Sequence, residues 1–166
     1  MFIDKAKIYI KAGDGGDGCT SFYTEKYVPN GGPDGGDGGN GGNIVFTVDE
    51  NAASLSVYRF GKRYRAENGA PGSGKNRHGK NGNDLVLKVP RGTVVRDAET
   101  GGIIADLFYA DDVVTVLTGG RGGKGNARFK TSRRQAPGFS QKGDLSDFRM
   151  QASRRFYPYL HVPIPR

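Results

Sequence analysis

Gly31-Gly32-Pro33-Asp34-Gly35-Gly36-Asp37-Gly38-Gly39-Asn40-Gly41-Gly42 is the stretch on which the fold turns. From Gly35 the glycines come in pairs separated by one other residue, a period of three. A polyproline II helix has three residues per turn and rises roughly 3.1 Å per residue. In that conformation Asp37 and Asn40 line one edge, and the other two edges carry only hydrogens. A second extended segment can approach such a bare edge and take up backbone N–H and C=O groups, helped by Cα–H···O contacts. Glycine is entropically costly to order, so the segment holds this shape only when packed against others like it. The alternative is a flexible linker.

The repeat recurs in the same phase as GGDG at 15–18 and GGRGGKG at 119–125, each joined to an apolar run. Linkers mix glycine with serine and keep no phase, so the recurrence favours packing. The expected structural glycines are Gly15, Gly16, Gly35, Gly36, Gly38, Gly39, Gly41, Gly42, Gly119, Gly120, Gly122 and Gly123.

The chain has 166 residues, of which 35% are hydrophobic and 28 are glycine, and a formal charge of +8. That length supports one domain with a real core. The glycine content falls short of the collagen third, and the triplets almost lack proline. The charge points to an anionic partner. Cys19 is the sole cysteine, so there is no internal disulfide framework, and a reducing, cytoplasmic location is expected. Charges interrupt the apolar positions of MFIDKAKIYIKAG, unlike a signal peptide, and no apolar run reaches the length of a membrane span.

Residues 2–11 alternate, with Ala6, Ile8 and Ile10 on one face, as in a half-buried strand. Residues 43–48 repeat the pattern through Ile44, Phe46 and Val48. Short extended pieces are expected at 55–60 and 63–65, and strands at 84–89, 93–95, 103–107 and 112–118. Turns are expected at Pro90-Arg91-Gly92 and Glu99-Thr100-Gly101-Gly102. Residues 67–84 read as a long polar loop. The fold class is therefore mainly β, an all-β barrel or sandwich whose strands make the core, with the glycine-rich polyproline II segments bundled beside it. It is expected over 1–143, with 144–166 a divergent, poorly ordered tail.

Three motif matches lack the context their chemistry needs. GAPGSGKN at 69–76 nearly fits a phosphate-cradling loop, but no buried strand precedes it and no helix follows, and Asn76 replaces the magnesium-binding hydroxyl. GRGGKG at 120–125 and GDGGDG at 13–18 fit a dinucleotide fingerprint without the amphipathic helix. Asp14, Asp17, Asp34 and Asp37 suggest calcium. Residues three apart on one such segment lie roughly 9 Å apart, too far to share an ion unaided, so solvated polar edges are expected and no metal site. No nucleophile–base pair stands out, and no catalytic residue is assigned.

The cations cluster in three loops: Lys26 with Tyr27; Lys75, Arg77, His78 and Lys80; and Arg128, Lys130, Arg133 and Arg134. Arg and Lys can clamp phosphates, and Tyr or His can stack on unpaired bases. Lys26, Tyr27, Lys75, Arg77, His78, Lys80, Arg128, Arg133 and Arg134 are the expected RNA-binding residues.

KYVPNGGPDGGDGGNGG (26–42), KNRHGKNGNDLVLKVPRGTVVRD (75–97) and GGRGGKGNARF (119–129) together resemble the N-terminal domain of Obg-type GTPases, also called CgtA. The resemblance covers roughly residues 1–143. It implies left-handed glycine-rich helices bundled on a small β-barrel, docking on the large ribosomal subunit and its 23S-type RNA, with a role in late subunit assembly and stress response. By position the tips are 26–30, 75–80 and 131–137. The family continues into a GTPase domain whose phosphate loop, magnesium threonine and N-K-x-D motif have no counterpart here, so GTP and magnesium would belong to that other domain. The expected chain is a monomeric binding domain that does not itself hydrolyse GTP. The alternatives are a protein-interaction module using the bare glycine edges and, last, a nucleotide-binding enzyme through 69–76.

Overall fold

The computed structural model describes residues 6–59, 63–97, 100–146 and 153–158, the last segment in backbone only. The strands are β1 (Ala6–Lys11), β2 (Ile44–Val48), β3 (Arg63–Arg65), β4 (Leu85–Val89), β5 (Thr93–Asp97), β6 (Ile103–Leu107), β7 (Val113–Leu117) and β8 (Ser153–Pro158). They form a five-stranded sheet in the order β3-β1-β8-β5-β6 and a three-stranded sheet in the order β4-β2-β7. The chain is mainly β, and its two sheets enclose a common core.

That core follows from the alternation. Ala6, Ile8 and Ile10 point inward from β1, while Lys7 and Tyr9 face out. Ile44, Phe46, Leu87 and Val89 meet them from the other sheet, and Val95 and Leu107 join them from β5 and β6 of the same one. Burying a side chain such as Ile8 or Phe46 stabilises by about 1.5–3 kcal/mol. The sheets thus supply the hydrophobic driving force that the glycine segments lack.

The turns lie where glycine is needed. Gly92 and Gly101 have φ of +80° and +72°, values that a side chain makes costly. Thr93 Oγ1 donates to the Pro90 carbonyl at 2.6 Å, closing the β4–β5 turn. Asp112 Oδ2 accepts from the N–H groups of Phe108 and Tyr109 at 2.9 and 2.8 Å, closing the β6–β7 turn.

Two expectations need correction. Residues 55–60 are not an extended piece: Ser56–Tyr58 is a 3₁₀ turn. It sets Leu55 fully in the core and lets the Tyr58 hydroxyl donate to the Lys88 carbonyl at 2.6 Å. Phe60 lies outside the described residues. The polar loop at 67–84 is not a loop but two further glycine segments joined by a turn, described below. Within the expected tail, the backbone of β8 runs between β1 and β5, antiparallel to both, because each offers an open edge there. Residues 147–152 and 159–166 lie outside the described residues.

Six extended rods stand on the sheets, in three excursions. β1 leads into 13–19, which returns as 34–43 into β2; β3 leads into 67–73, which returns as 77–84 into β4; β7 leads into 119–126, which returns as 141–144. No rod glycine has positive φ. Unlike α-helical bonds, the rods' hydrogen bonds run to neighbouring rods, and they advance in threes. Gly13, Gly16 and Cys19 donate to the carbonyls of Gly42, Gly39 and Gly36. Gly79 and Gly82 donate to Asp37 and Asn40, and Gly120, Gly123 and Asn126 to Gly13, Gly16 and Cys19. This is mutual pairing of polyproline II segments, with the period that the sequence carries.

Candidate nucleic-acid interface

The rod at 34–43 is the hub. Every N–H from Asp34 to Asn43 has a partner. On one edge Gly36, Gly39 and Gly42 donate to Ser73, Ala70 and Glu67; on the second Gly38 and Gly41 donate to Gly123 and Gly120. On the third, Asp37, Asn40 and Asn43 donate to side chains three apart: His78 Nδ1, Asn81 Oδ1 and Asp84 Oδ1. Their own Oδ1 atoms accept from Gly125, Gly122 and Gly119 at 2.8, 2.8 and 2.7 Å.

The polar edges are therefore not simply solvated, as the sequence suggested. Asp17 Oδ1 likewise accepts from Gly143, and Asp14 Oδ1 from both the N–H and the hydroxyl of Ser146. These carboxylates stand in for carbonyl groups in the bundle. Among the described residues no three His, Cys, Asp or Glu side chains gather as a metal site. The bare glycine edges are occupied from within as well. A methyl group on Gly38 would overlap the Gly16 carbonyl oxygen, on Gly41 that of Gly13, and on Gly119 that of Gly41.

Asp14 stands where rods meet sheet, with Lys11 Nζ 3.7 Å and Arg65 Nη2 3.5 Å from its Oδ2. Burial alone raises its pKa. The Ser146 hydrogen bonds and the two cations together outweigh burial and hold the carboxyl below the usual value.

At the far ends, three tips gather. The first is a hairpin finger over 21–34: Asp34 donates to Ser21, Tyr23 to Gly32, and Glu25 and Val28 pair reciprocally. Lys26 and Tyr27 form its turn, with the Lys26 ammonium 5.5 Å from the Tyr27 ring centre and Tyr27 85% exposed. Nearby, a hydrogen bond to Glu25 raises the pKa of the Tyr23 phenol. The second tip turns over Ser73–Arg77, with Lys75 and Asn76 at φ +61° and +53°. Such backbone costs roughly 1–2 kcal/mol per residue. Asp34 offsets that strain: its Oδ2 accepts from Lys75 and its carbonyl from Asn76, at 2.9 and 2.6 Å. The third begins with a 3₁₀ turn at Asn126–Phe129 and continues to Pro137, with Arg134 5.3 Å over the Phe139 ring.

Asn126 ties the first and third tips together. It is fully buried. Its Oδ1 accepts from Gly35 at 2.8 Å, and its Nδ2 donates to the carbonyls of Ser21 and Pro137 at 2.9 and 3.1 Å. Sequence reading passed over it, since a lone Asn after a glycine run carries no signal of its own. The rods at 67–73 and 77–84 did carry one: Gly69, Gly72, Gly79 and Gly82 keep the period of three, as do His78, Asn81 and Asp84.

Of the residues expected to meet RNA, Lys26, Tyr27, Lys75, Arg77, Arg133 and Arg134 stand exposed at this end, joined by Lys130. Lys80 lies lower, exposed on the 77–84 rod, its carbonyl accepting from Ala70. Arg128 and His78 converge on Asp37: Arg128 Nη2 and Nε lie 2.9 and 3.0 Å from its Oδ2, and His78 Nδ1 accepts its N–H at 3.1 Å. Their polar atoms serve the bundle. At 69–76 the N–H groups of Gly69, Ala70, Gly72, Ser73, Lys75 and Asn76 all bond within the protein. Those are the donors a phosphate cradle would have to turn outward. Among the described residues no helix is long and apolar enough to cross a membrane.

A family model described as GTP1/OBG matches residues 3–152. The chain is 57% identical over 148 residues to a protein named GTPase Obg from Persephonella marina, covering 89% of this chain and 44% of that one. It is 60% identical over 144 residues to GTPase Obg of Alkaliphilus oremlandii, covering 87% of this chain and 34% of the relative. With GTPase Obg of Clostridium tetani it shares 56% over 143 residues, 86% and 34% of the two chains. The chain thus spans less than half the length of these relatives.

Proposed function

The chain belongs to the GTP1/OBG family, and from that premise we propose that it is a non-catalytic RNA-binding domain which docks on the large ribosomal subunit. The sheets hold the bundle, the bundle holds the tips, and the tips meet ribosomal RNA. One observation carries this reading: Lys26, Lys75, Arg77, Lys130, Arg133 and Arg134 are exposed together on three tips fixed by Asn126 and Asp34. A loop already held in its bound shape loses little conformational freedom on binding. Exposed cations with an exposed tyrosine suit phosphates flanking unpaired bases. Action in subunit assembly and stress response, binding of 23S-type RNA and a cytoplasmic location go with this proposal. On this proposal, the GTPase activity in the relatives' name lies outside the region that this chain matches.

The test is cosedimentation with purified large subunits at moderate salt. Charge reversal at Arg77, Lys80, Arg133 and Arg134 together should weaken binding at least tenfold and steepen no salt dependence, since removed phosphate contacts lower the salt slope. The melting temperature should stay unchanged. Undiminished cosedimentation of that variant would rule out the tips as the docking element. Calorimetry with GTP and magnesium on this chain should give no heat of binding.

A further inference from the structure

The outer face of β1 and β3 carries a second cationic surface, far from the tips. Alternation turns Lys7, Tyr9 and Lys11 outward from β1, and Arg63 and Arg65 outward from β3. The parallel register sets Tyr9 beside Arg63 and Lys11 beside Arg65. The Arg63 guanidinium lies 5.8 Å from the Tyr9 ring centre, and Tyr9 is 42% exposed. A shallow cavity of about 360 Å³ opens here, lined by Tyr9, Ile10, Lys11, Arg63, Tyr64 and Arg65. Asp14 neutralises part of one end through Lys11 and Arg65. Lys7 and Arg63 are exposed, and neither makes an ion pair among the described residues.

We infer that this face binds single-stranded RNA. Four cations in two columns match a phosphate backbone running along the strands, and a guanidinium–tyrosine pair is a stacking surface for an unpaired base. A mainly duplex ligand would leave the ring without a role, because paired bases are not open to stacking. The tips do not share this ligand locally. The rod at 13–19 alone spans about 20 Å at polyproline II rise, beyond the Debye length of roughly 8–10 Å. The inference stands apart from the tip reading, and either can fail alone.

The test is fluorescence anisotropy with a labelled oligouridylate about twelve nucleotides long, with an RNA duplex of equal length and with polyglutamate as competitor. Tyr9→Ala should weaken single-strand binding by about 5- to 30-fold and leave duplex binding unchanged, while Tyr9→Phe retains both. Arg63→Glu should weaken both RNAs, and Arg63→Lys should keep most of the phosphate affinity. Arg133→Glu with Arg134→Glu should keep oligouridylate binding to this face. Circular dichroism checks the fold of each variant, and the Phe–Ala contrast at position 9 decides if Arg63→Glu misfolds. Wild-type affinity in Tyr9→Ala, loss of all oligouridylate binding in the tip variant, or displacement by polyglutamate as effective as by RNA would each overturn the inference.

Discussion

Arg128 grips Asp37 through both Nη2 and Nε, at 2.9 and 3.0 Å from one carboxylate oxygen, while the other oxygen accepts from Gly125 at 2.8 Å. The two halves of this arrangement differ in worth. The Arg128 side chain is 58% exposed, so the ion pair contributes at most about 1 kcal/mol. The Gly125 N–H is buried against the hub, and leaving such a group unpaired costs about 1–3 kcal/mol. Urea denaturation should therefore show Asp37→Ala to be clearly more destabilising than Arg128→Ala. Equal losses would mean that the ion pair, not the carbonyl-like acceptor, is what the bundle needs.

Asn126 is predicted to be the most sensitive polar side chain of the bundle. Asn126→Ala strands the Gly35 N–H and the Pro137 carbonyl and leaves the Ser21 carbonyl with only the Asp34 N–H, and should cost about 2–4 kcal/mol on the scale of buried unpaired groups. Asn126→Asp keeps the acceptor for Gly35 but turns a carboxylate oxygen toward two carbonyls, so it should not rescue. Thermal melting measures both. Hydrogen exchange should speed first at Gly35, where the lost acceptor was.

The glycines divide by what surrounds them. At Gly38 a methyl group meets the Gly16 carbonyl, whereas at Gly138 it meets nothing within 4 Å. Gly38→Ala should destabilise at the upper end of about 1–3 kcal/mol or beyond, as overpacking does. Gly138→Ala should be neutral or slightly stabilising, because it only removes freedom from the unfolded chain. Comparable effects at the two sites would contradict close rod packing.

The pH dependence has two limbs with opposite signs. Asp14 has its carboxyl held below the usual value in the folded chain. It contributes stability that is present above the ordinary carboxylate range and is lost as pH falls through the folded value. Asp14→Asn should flatten part of the acid limb, and Ser146→Ala should do so partially. Tyr58 is pushed up to about 12, first by burial and then by Tyr64. Its contribution is full below the ordinary phenol value and declines as pH rises toward 12. Tyr58→Phe should remove that alkaline decline while losing the bond to Lys88. Urea midpoints across pH check both limbs.

The strands were legible because their signals are local. β1 alternates strictly, β2 keeps Ile44, Phe46 and Val48 on one face, and the turns at 90–92 and 101–102 carry the glycines they need. The rods at 31–42 and 119–125 were legible from paired glycines. Those at 67–73, 77–84 and 141–144 carry a weaker signal, for a physical reason. An inner rod such as 34–43 has neighbours on two bare edges and needs two glycines per triplet. Outer rods meet the bundle on fewer edges, so one glycine per triplet suffices, as at Gly69, Gly72, Gly79, Gly82 and Gly143. Of the interface, the cations were visible in sequence, but their division was not. Nothing in RHGK or NARF tells that His78 and Arg128 turn to Asp37 while Arg77 stays at the tip.

The most direct test of the account places a photo-crosslinking amino acid at Tyr27, at Ser132 and, as reference, at Val86 on the outer face of the three-stranded sheet. Tyr27 and Ser132 stand on two different tips, and Val86 is 49% exposed. Each derivative is irradiated with purified large ribosomal subunits. Crosslinks to ribosomal RNA are expected from positions 27 and 132 and none from position 86. Crosslinks to RNA from position 86 with none from either tip would contradict docking by the tips.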